Sequence, residues 1–218
     1  MLVVIGHFAS TNSVAALPIY DRVGMPMVTC SSTSDTLTGM SKWFFRVPTV
    51  NSQLGKQLAL YAANRLGAKR IAVMLGESEG TRTTEKPFEE TIATTDAKII
   101  AIETHQLGDQ DFTAQITKIK AMQPDVVFLN TFANEAGLLV KQAGEAGWHP
   151  VFLGLDAVTS PDFIKLAGSA GEGTLSAAFW DPSRTDALSQ KFVSDYKAAY
   201  GDLPEQFAAH CYSAVTII

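Results

Sequence analysis

The sequence has few of the features that mark metalloproteins, disulfide-rich proteins, nucleic-acid-binding proteins and membrane-spanning proteins. Its two cysteines, Cys30 and Cys211, are too few for a disulfide scaffold and lack metal-ligand spacing, so we expect two buried thiols. The 17 basic and 22 acidic side chains give a formal net charge of -5 without a basic block, which argues against nucleic acid as a partner. No apolar run approaches the about 18 residues that a membrane-spanning helix needs.

Catalytic and nucleotide-binding motifs are also missing. No Gly-x-Gly-x-x-Gly follows a predicted strand, and no Gly-x-Ser-x-Gly elbow surrounds a serine. A Ser-His-Asp triad could be assembled from His7, Ser10 and Asp156, but His7 would point away from Ser10 if its strand continues. The remaining histidines are scattered without metal-ligand spacing. We therefore expect no catalytic residue, no cofactor and no metal ion.

Alternating strand and helix patterns are the strongest architectural signal. The chain has 218 residues, 46% of them hydrophobic, which is enough for one large domain or two lobes of roughly 100 residues. Four continuous apolar runs, each separated from the next by a helical pattern, cover residues 70–75, 98–102, 124–129 and 150–154. Such strands indicate an α/β fold whose parallel sheet is covered by helices on both faces.

Capping residues and proline set the expected helix ends. Asn12 or Ser13 is expected to cap a first helix that runs to Arg22. A helix over residues 83–92 would place Pro87 near its first turn. An amphipathic helix is predicted over residues 186–200, and a strand over residues 174–180.

Hydroxyl side chains follow two predicted strands. Ser31, Ser32 and Thr33 come after the apolar stretch around Val28, and Ser10 follows the opening strand. Ligands of open α/β sheets bind at the carboxyl ends of the strands. We expect these residues to offer hydroxyls and free backbone N–H groups, which would hold a small anionic or zwitterionic group with neutral donors.

The two ends of the sequence are abrupt. Residues 1–5 read directly as a core strand, without the charged region and small-residue cleavage site of a signal peptide, and residues 211–218 break off within an apolar helical pattern. We therefore expect a piece of a longer protein, in which case the missing leader carries no information about localisation.

A family resemblance is carried by residues 3–10, 27–33, 70–73, 111–114, 125–132 and 152–156. Together these segments resemble the type I periplasmic solute-binding proteins of ABC transporters, in the branched-chain amino-acid (leucine/isoleucine/valine-binding) branch. No single motif is specific, but their order and spacing are, and the resemblance covers nearly the whole chain.

The resemblance implies two Rossmann-like lobes with parallel sheets that close on a ligand between them. Residues 1–48 and 181–218 would form an incomplete first lobe, and residues 49–180 a nearly complete second lobe. The implied protein is a monomeric, periplasmic or otherwise extracytoplasmic component that passes an amino acid to a membrane permease. Its ligand would be a branched-chain or aromatic amino acid, or a similar small carboxylate.

The resemblance also implies roles for five residues. Ser10, Ser31 and Thr33 would bind the α-carboxylate of the ligand, Asp156 would bind its α-ammonium, and Phe132 would pack over it. Each residue also has a plain structural interpretation, because Ser and Thr satisfy turns, Asp caps helices and Phe fills cores.

Gly80 departs from the family pattern, which commonly has an aromatic residue facing the ligand at this position. A glycine would leave space for a bulkier ligand side chain, aromatic or long and aliphatic. Two other functions remain open at this stage: a ligand-sensing domain of a receptor or regulator with the same fold, and a small α/β hydrolase that uses Ser10.

Overall fold

The computed structural model describes residues 2–218 and divides the chain into two compact units. Unit 1 comprises Met1–Val50 and Ala178–Ile218, and unit 2 comprises Asn51–Ala177. Each unit contains one sheet, and every paired strand in both sheets is parallel. The predicted α/β class with parallel sheets is confirmed. No helix among residues 2–218 has both the length and the apolar character needed to cross a bilayer.

Unit 1 has a three-stranded sheet in the order β1-β2-β3. Its strands are β1 (Val4–Ile5), β2 (Met27–Thr29) and β3 (Phe44–Arg46), and its helices are α1 (Ser10–Arg22), α7 (Ala187–Tyr200) and α8 (Gln206–Thr216). A small core of Leu17, Met27 and Leu37 lies between α1 and the sheet. The predicted helix over residues 186–200 is confirmed, with the Asp186 carboxylate accepting from the Ser189 N–H, but none of its residues is buried.

Unit 2 has a five-stranded sheet in the order β5-β4-β6-β7-β8. Its strands are β4 (Arg70–Gly76), β5 (Lys98–His105), β6 (Val126–Asn130), β7 (Val151–Gly154) and β8 (Leu175–Ser176). Its helices are α2 (Asn51–Leu60), extended by a π-helical turn at Tyr61–Arg65, α3 (Glu79–Ile92), α4 (Thr113–Ala121), α5 (Ala133–Glu145) and α6 (Pro161–Ala167). The strand expected over residues 174–180 is thus reduced to two residues.

The core of unit 2 explains why its strands are continuously apolar. All five residues of β6 are buried, because helices cover both faces of the sheet. On one face the ring of Phe128 stacks on Phe88 of α3, with ring centroids 4.3 Å apart. On the other face Leu129 and Met74 pack in a cluster that includes Leu139 of α5. Alternate residues of one strand therefore contact different helical layers.

Two expectations about helix ends are wrong. Helix α1 begins at Ser10, with Ala9 at the N-cap position and no side-chain cap, because the hydroxyl of Ser13 is bonded to Ser32 Oγ at 2.7 Å. Helix α3 begins at Glu79, so Pro87 lies in the middle of the helix and not in its first turn. A capping box between Ser78 and Thr81 fixes that earlier start.

The expectation of two free thiols is also wrong, because Cys30 and Cys211 form a disulfide across 181 residues of sequence. Cys30 follows β2, and Cys211 lies on α8, which contacts both β1 and β2. The Cα atoms of the two cysteines are 4.9 Å apart, within the range of disulfide geometry. This pairing depends on tertiary packing, which no local sequence pattern reveals.

Close packing of α2 against α3 generates a stability prediction. Gly55 of α2 approaches α3 so closely that a Cβ there would overlap the carbonyl oxygen of Thr84. We expect Gly55→Ala to lower the free energy of unfolding by about 1–3 kcal/mol, since the helices must separate. Chemical denaturation measures this loss. Lys56→Ala, an exposed change on the same helix, should alter the free energy by no more than about 0.5 kcal/mol, and equal effects of the two changes would contradict the packing argument.

Candidate functional site

The segment of residues 31–34, which we call the hydroxyl loop, follows the carboxyl end of β2 in unit 1. Its first two backbone N–H groups donate to Thr29 Oγ1, at 3.2 and 2.9 Å. Its last two donate to Ser10 Oγ, at 3.2 and 3.1 Å. The expectation that these N–H groups are free is therefore wrong. Side-chain oxygens satisfy them within unit 1, and the loop is held in place before any ligand arrives.

Ser10 has only one hydrogen-bonding function left. A hydroxyl offers one proton and two lone pairs, and Ser10 Oγ already accepts from Thr33 and Ser34 of the loop. Its side chain is buried, with the residue 6% exposed. The remaining proton can be donated to an anion, whereas engaged lone pairs make the oxygen a poor nucleophile.

His7 does not complete a catalytic triad with Ser10. Its Nε2 lies 3.1 Å from the hydroxyl of Tyr20, and the two rings stack. Its backbone carbonyl accepts from Ser32 Oγ at 2.8 Å and from Thr29 Oγ1 at 3.1 Å. His7 therefore connects α1 to the hydroxyl loop as a structural residue.

The environment of the hydroxyl loop favours an anion. Ser10 is the first residue of α1, and the N-terminus of a helix carries partial positive charge. Ser31 and Thr33 are partly exposed, and their hydroxyls make no hydrogen bond to any of residues 2–218. The guanidinium of Arg46 donates to the carbonyl of Ser34 at 2.9 Å. Burial lowers the pKa of Arg46, and the charge of Asp35 opposes that shift.

In unit 2, Phe132 and Asp156 follow the neighbouring strands β6 and β7, which pair in the register Leu129↔Gly154. Phe132 is partly exposed and occupies the N-cap position of α5. Asp156 opens a 3₁₀ turn, Asp156–Thr159. The residue as a whole is partly exposed, but its carboxylate is buried.

Burial has a direct effect on the charge of Asp156. Desolvation raises the pKa of its carboxyl group to about 6, although hydrogen bonds from the backbone N–H groups of Ala157 and Asp156 itself act in the opposite direction. A carboxylate in such surroundings gains more from a nearby cation than a fully hydrated one does, because the cation replaces lost solvation.

Sequence reasoning missed a buried polar cluster beside Phe132. His105 ends β5, Asn130 ends β6 and Thr131 follows it, and each is at most 4% exposed. Within the described part of the chain, His105 Nε2, Asn130 Oδ1 and Thr131 Oγ1 have no hydrogen-bond partner. Gly76 lies between them, where a Cβ would be 2.5 Å from Thr131 Oγ1. In the sequence, Asn130 and Thr131 come directly after the apolar run of β6, and these polar residues could have indicated the cluster.

The five residues singled out from the sequence form two groups. Ser10, Ser31 and Thr33 lie together in unit 1, at the junction of α1 with the hydroxyl loop. Phe132 and Asp156 lie in unit 2, at the carboxyl ends of neighbouring strands. Across residues 2–218, no three His, Cys, Asp or Glu side chains are grouped so that they could hold a metal ion.

Comparison with known proteins identifies the family. A model of the family described as periplasmic binding protein matches residues 1–218. The leucine-, isoleucine-, valine-, threonine- and alanine-binding protein of Pseudomonas aeruginosa is 31% identical over 219 residues, which cover 99% of this chain and 58% of that protein.

Solved structures agree with this assignment. The leucine-binding protein LivK of Thermotoga maritima superposes with a TM-score of 0.92 at 29% identity, covering 100% of this chain and 62% of that one. LivJ of Streptococcus pneumoniae, a branched-chain amino acid transporter substrate-binding protein solved with isoleucine, gives a TM-score of 0.93 at 28% identity and the same coverage. The chain thus spans about 60% of the length of these relatives. It belongs to the periplasmic binding protein family.

Proposed function

We propose that this chain is the larger part of the substrate-binding component of an ABC transporter, which binds an amino acid and delivers it to a membrane permease. One observation carries the proposal: the hydroxyl loop is fastened to the N-terminus of α1 and presents neutral donors suited to a carboxylate. The names of the relatives from P. aeruginosa and S. pneumoniae, which refer to amino-acid binding and transport, support it.

Under this proposal the carboxylate of the ligand is bound by unit 1. The hydroxyls of Ser31 and Thr33 and the remaining proton of Ser10 are the donors, and the N-terminus of α1 supplies favourable partial charge. Because the loop is already held by Thr29, Ser10 and Arg46, little conformational entropy is lost when these donors engage the ligand.

Asp156 is the residue proposed to bind the ammonium group of the ligand. The buried carboxylate of Asp156 has a raised pKa, and an ammonium beside it would favour the charged form. Phe132 would contribute an aromatic surface for the ligand side chain. Gly80 adds no side chain, so the ligand we propose has a bulky aliphatic or aromatic side chain.

We further propose that the protein works outside the cytoplasm, as a monomer. The Cys30–Cys211 disulfide supports this location, because disulfides form and persist mainly in oxidising compartments. Residues 1–48 and 181–218 would then be parts of an incomplete first lobe, and residues 49–180 a second lobe. The greater length of the relatives supports this division.

A calorimetric titration tests the function. We expect the longer protein of which this chain would be the larger part, which we call the parent protein, to bind leucine, isoleucine or phenylalanine at one site. It should not convert the bound amino acid into a product. Isoamylamine and 4-methylpentanoate, which each lack one charged group of leucine, should bind at least about tenfold more weakly, since each leaves one half of the site unfilled. Failure of every amino acid to bind, or release of a reaction product, would contradict the proposal.

Thr33→Val tests the carboxylate half, because valine keeps the shape of threonine and the backbone N–H that Ser10 accepts. We expect the affinity for the amino acid to fall by about 1–2 kcal/mol while the free energy of unfolding stays within about 0.5 kcal/mol. Calorimetry and chemical denaturation measure the two effects. Thr216→Val, at an exposed position on α8, is the matched control and should change neither. Unchanged affinity in Thr33→Val would remove this residue from the site.

The raised pKa of Asp156 predicts a pH dependence of binding. The ammonium of the ligand requires the charged carboxylate, so affinity should be full above about pH 6 and fall by up to about tenfold per unit as the pH drops below it. Asp156→Asn should bind more weakly at about pH 8 and remove most of this dependence. Asp162→Asn, an exposed change in the same unit, should retain it. Identical pH profiles for the wild type and Asp156→Asn would show that another group titrates.

A further inference from the structure

We propose that the Cys30–Cys211 disulfide positions the hydroxyl loop, so that reduction of this bond by a dithiol weakens amino-acid binding. The inference about binding rests on the proposed function, whereas the inference about loop order does not. Cys30 lies between Thr29, which ends β2, and Ser31, which begins the loop. The covalent bond is therefore one residue away from the proposed ligand donors.

The disulfide joins the loop to α8, a helix whose apolar cluster with the sheet is small. Among residues 2–218, the buried apolar cluster beneath α8 consists of Val28, Cys30 and Ala214, with Val3, Val47 and Cys211 packed against it. Beside this small apolar cluster, the disulfide adds a covalent constraint on the distance between α8 and β2.

His210, next to Cys211, adds a second link to the same place. It is 7% exposed, and its imidazole interacts with the backbone of Cys30. Burial lowers the pKa of His210, and the interaction with Cys30 opposes that shift. His210 and Cys211, which are adjacent on α8, are therefore both bonded to Cys30. Both bonds depend on the position of α8.

Loosening Cys30 would act on the loop through Thr29. Thr29 Oγ1 accepts the N–H groups of Ser31 and Ser32 and donates to the carbonyl of His7. These bonds need the backbone from Thr29 to Ser32 in one fixed conformation. Once α8 is free to move, that conformation competes with others, and the first half of the loop loses its order before the half held by Ser10 does.

The reduction is an ordinary thiol–disulfide exchange. A dithiol supplies two electrons and two protons, which yields the thiols of Cys30 and Cys211 and leaves the dithiol as its own disulfide. Cys211 is partly exposed, and the residues on either side of it, His210 and Tyr212, line a cavity of about 410 Å³ between α7 and α8. These 218 residues contain no cysteine besides Cys30 and Cys211.

Amide hydrogen exchange of the ligand-free parent protein, with and without dithiothreitol, tests the positioning role. We expect the amides of Ser31 and Ser32 to exchange about tenfold faster after reduction, while those of β4 and β6 in unit 2 are unchanged. Unchanged exchange in the loop would overturn the inference. So would equal acceleration throughout β2 and β3, because that result would mean general unfolding of unit 1.

A double variant and a titration complete the test. Cys30→Ser with Cys211→Ser should show the exchange rates of the reduced protein, with or without dithiothreitol. Leucine should bind the reduced protein about tenfold more weakly than the oxidised protein. Equal affinities would overturn the inference and leave the proposed function intact. If neither form binds leucine or any other amino acid, the proposed function is wrong, and the exchange measurement still decides whether the disulfide positions the loop.

Discussion

The structure of the candidate site depends on the satisfaction of backbone N–H groups where a parallel strand ends. Beyond the last residue of β2 the sheet offers no further carbonyl partners, and buried N–H groups without partners are costly. Here two side-chain oxygens, those of Thr29 and Ser10, accept all four N–H groups of residues 31–34. The polar side chains near the strand end are therefore used to satisfy the backbone N–H groups of the loop. Only the donors that remain can bind a ligand.

In unit 2 the carboxyl ends of the strands also carry polar groups, but these groups are buried and one of them is an acidic side chain. Its sheet is apolar on both faces, so polar groups collect at the carboxyl ends of β5, β6 and β7. Asn130 donates to the carbonyl of Thr81 at 3.0 Å and so ties the end of β6 to the first turn of α3. The carboxylate of Asp156 is buried at this end of the sheet, which makes its charge costly and a cationic partner favourable.

The sequence predicted the fold well where patterns are local. The four strands predicted between residues 70 and 154 begin as apolar runs in the sequence, and the structure contains all four of them. Predictions failed where a side chain bonds to a distant residue. Ser13 was expected to cap α1 but reaches Ser32, and Cys30 was expected to be a free thiol but meets Cys211. The roles of the five site residues stay predictions, although the structure does place them at strand ends, as parallel topology requires.

The hydrogen bonds that Ser10 makes to the hydroxyl loop limit the ligand atoms that its side chain can bind. Because its oxygen is occupied by two N–H groups, the side chain can engage only a ligand atom that accepts a hydrogen bond. An amide nitrogen or an amine placed there would bring a second donor to a group that has nothing left to accept with. Ser10 can therefore bind only ligand atoms that accept a hydrogen bond, and this selection does not depend on the size or net charge of the molecule.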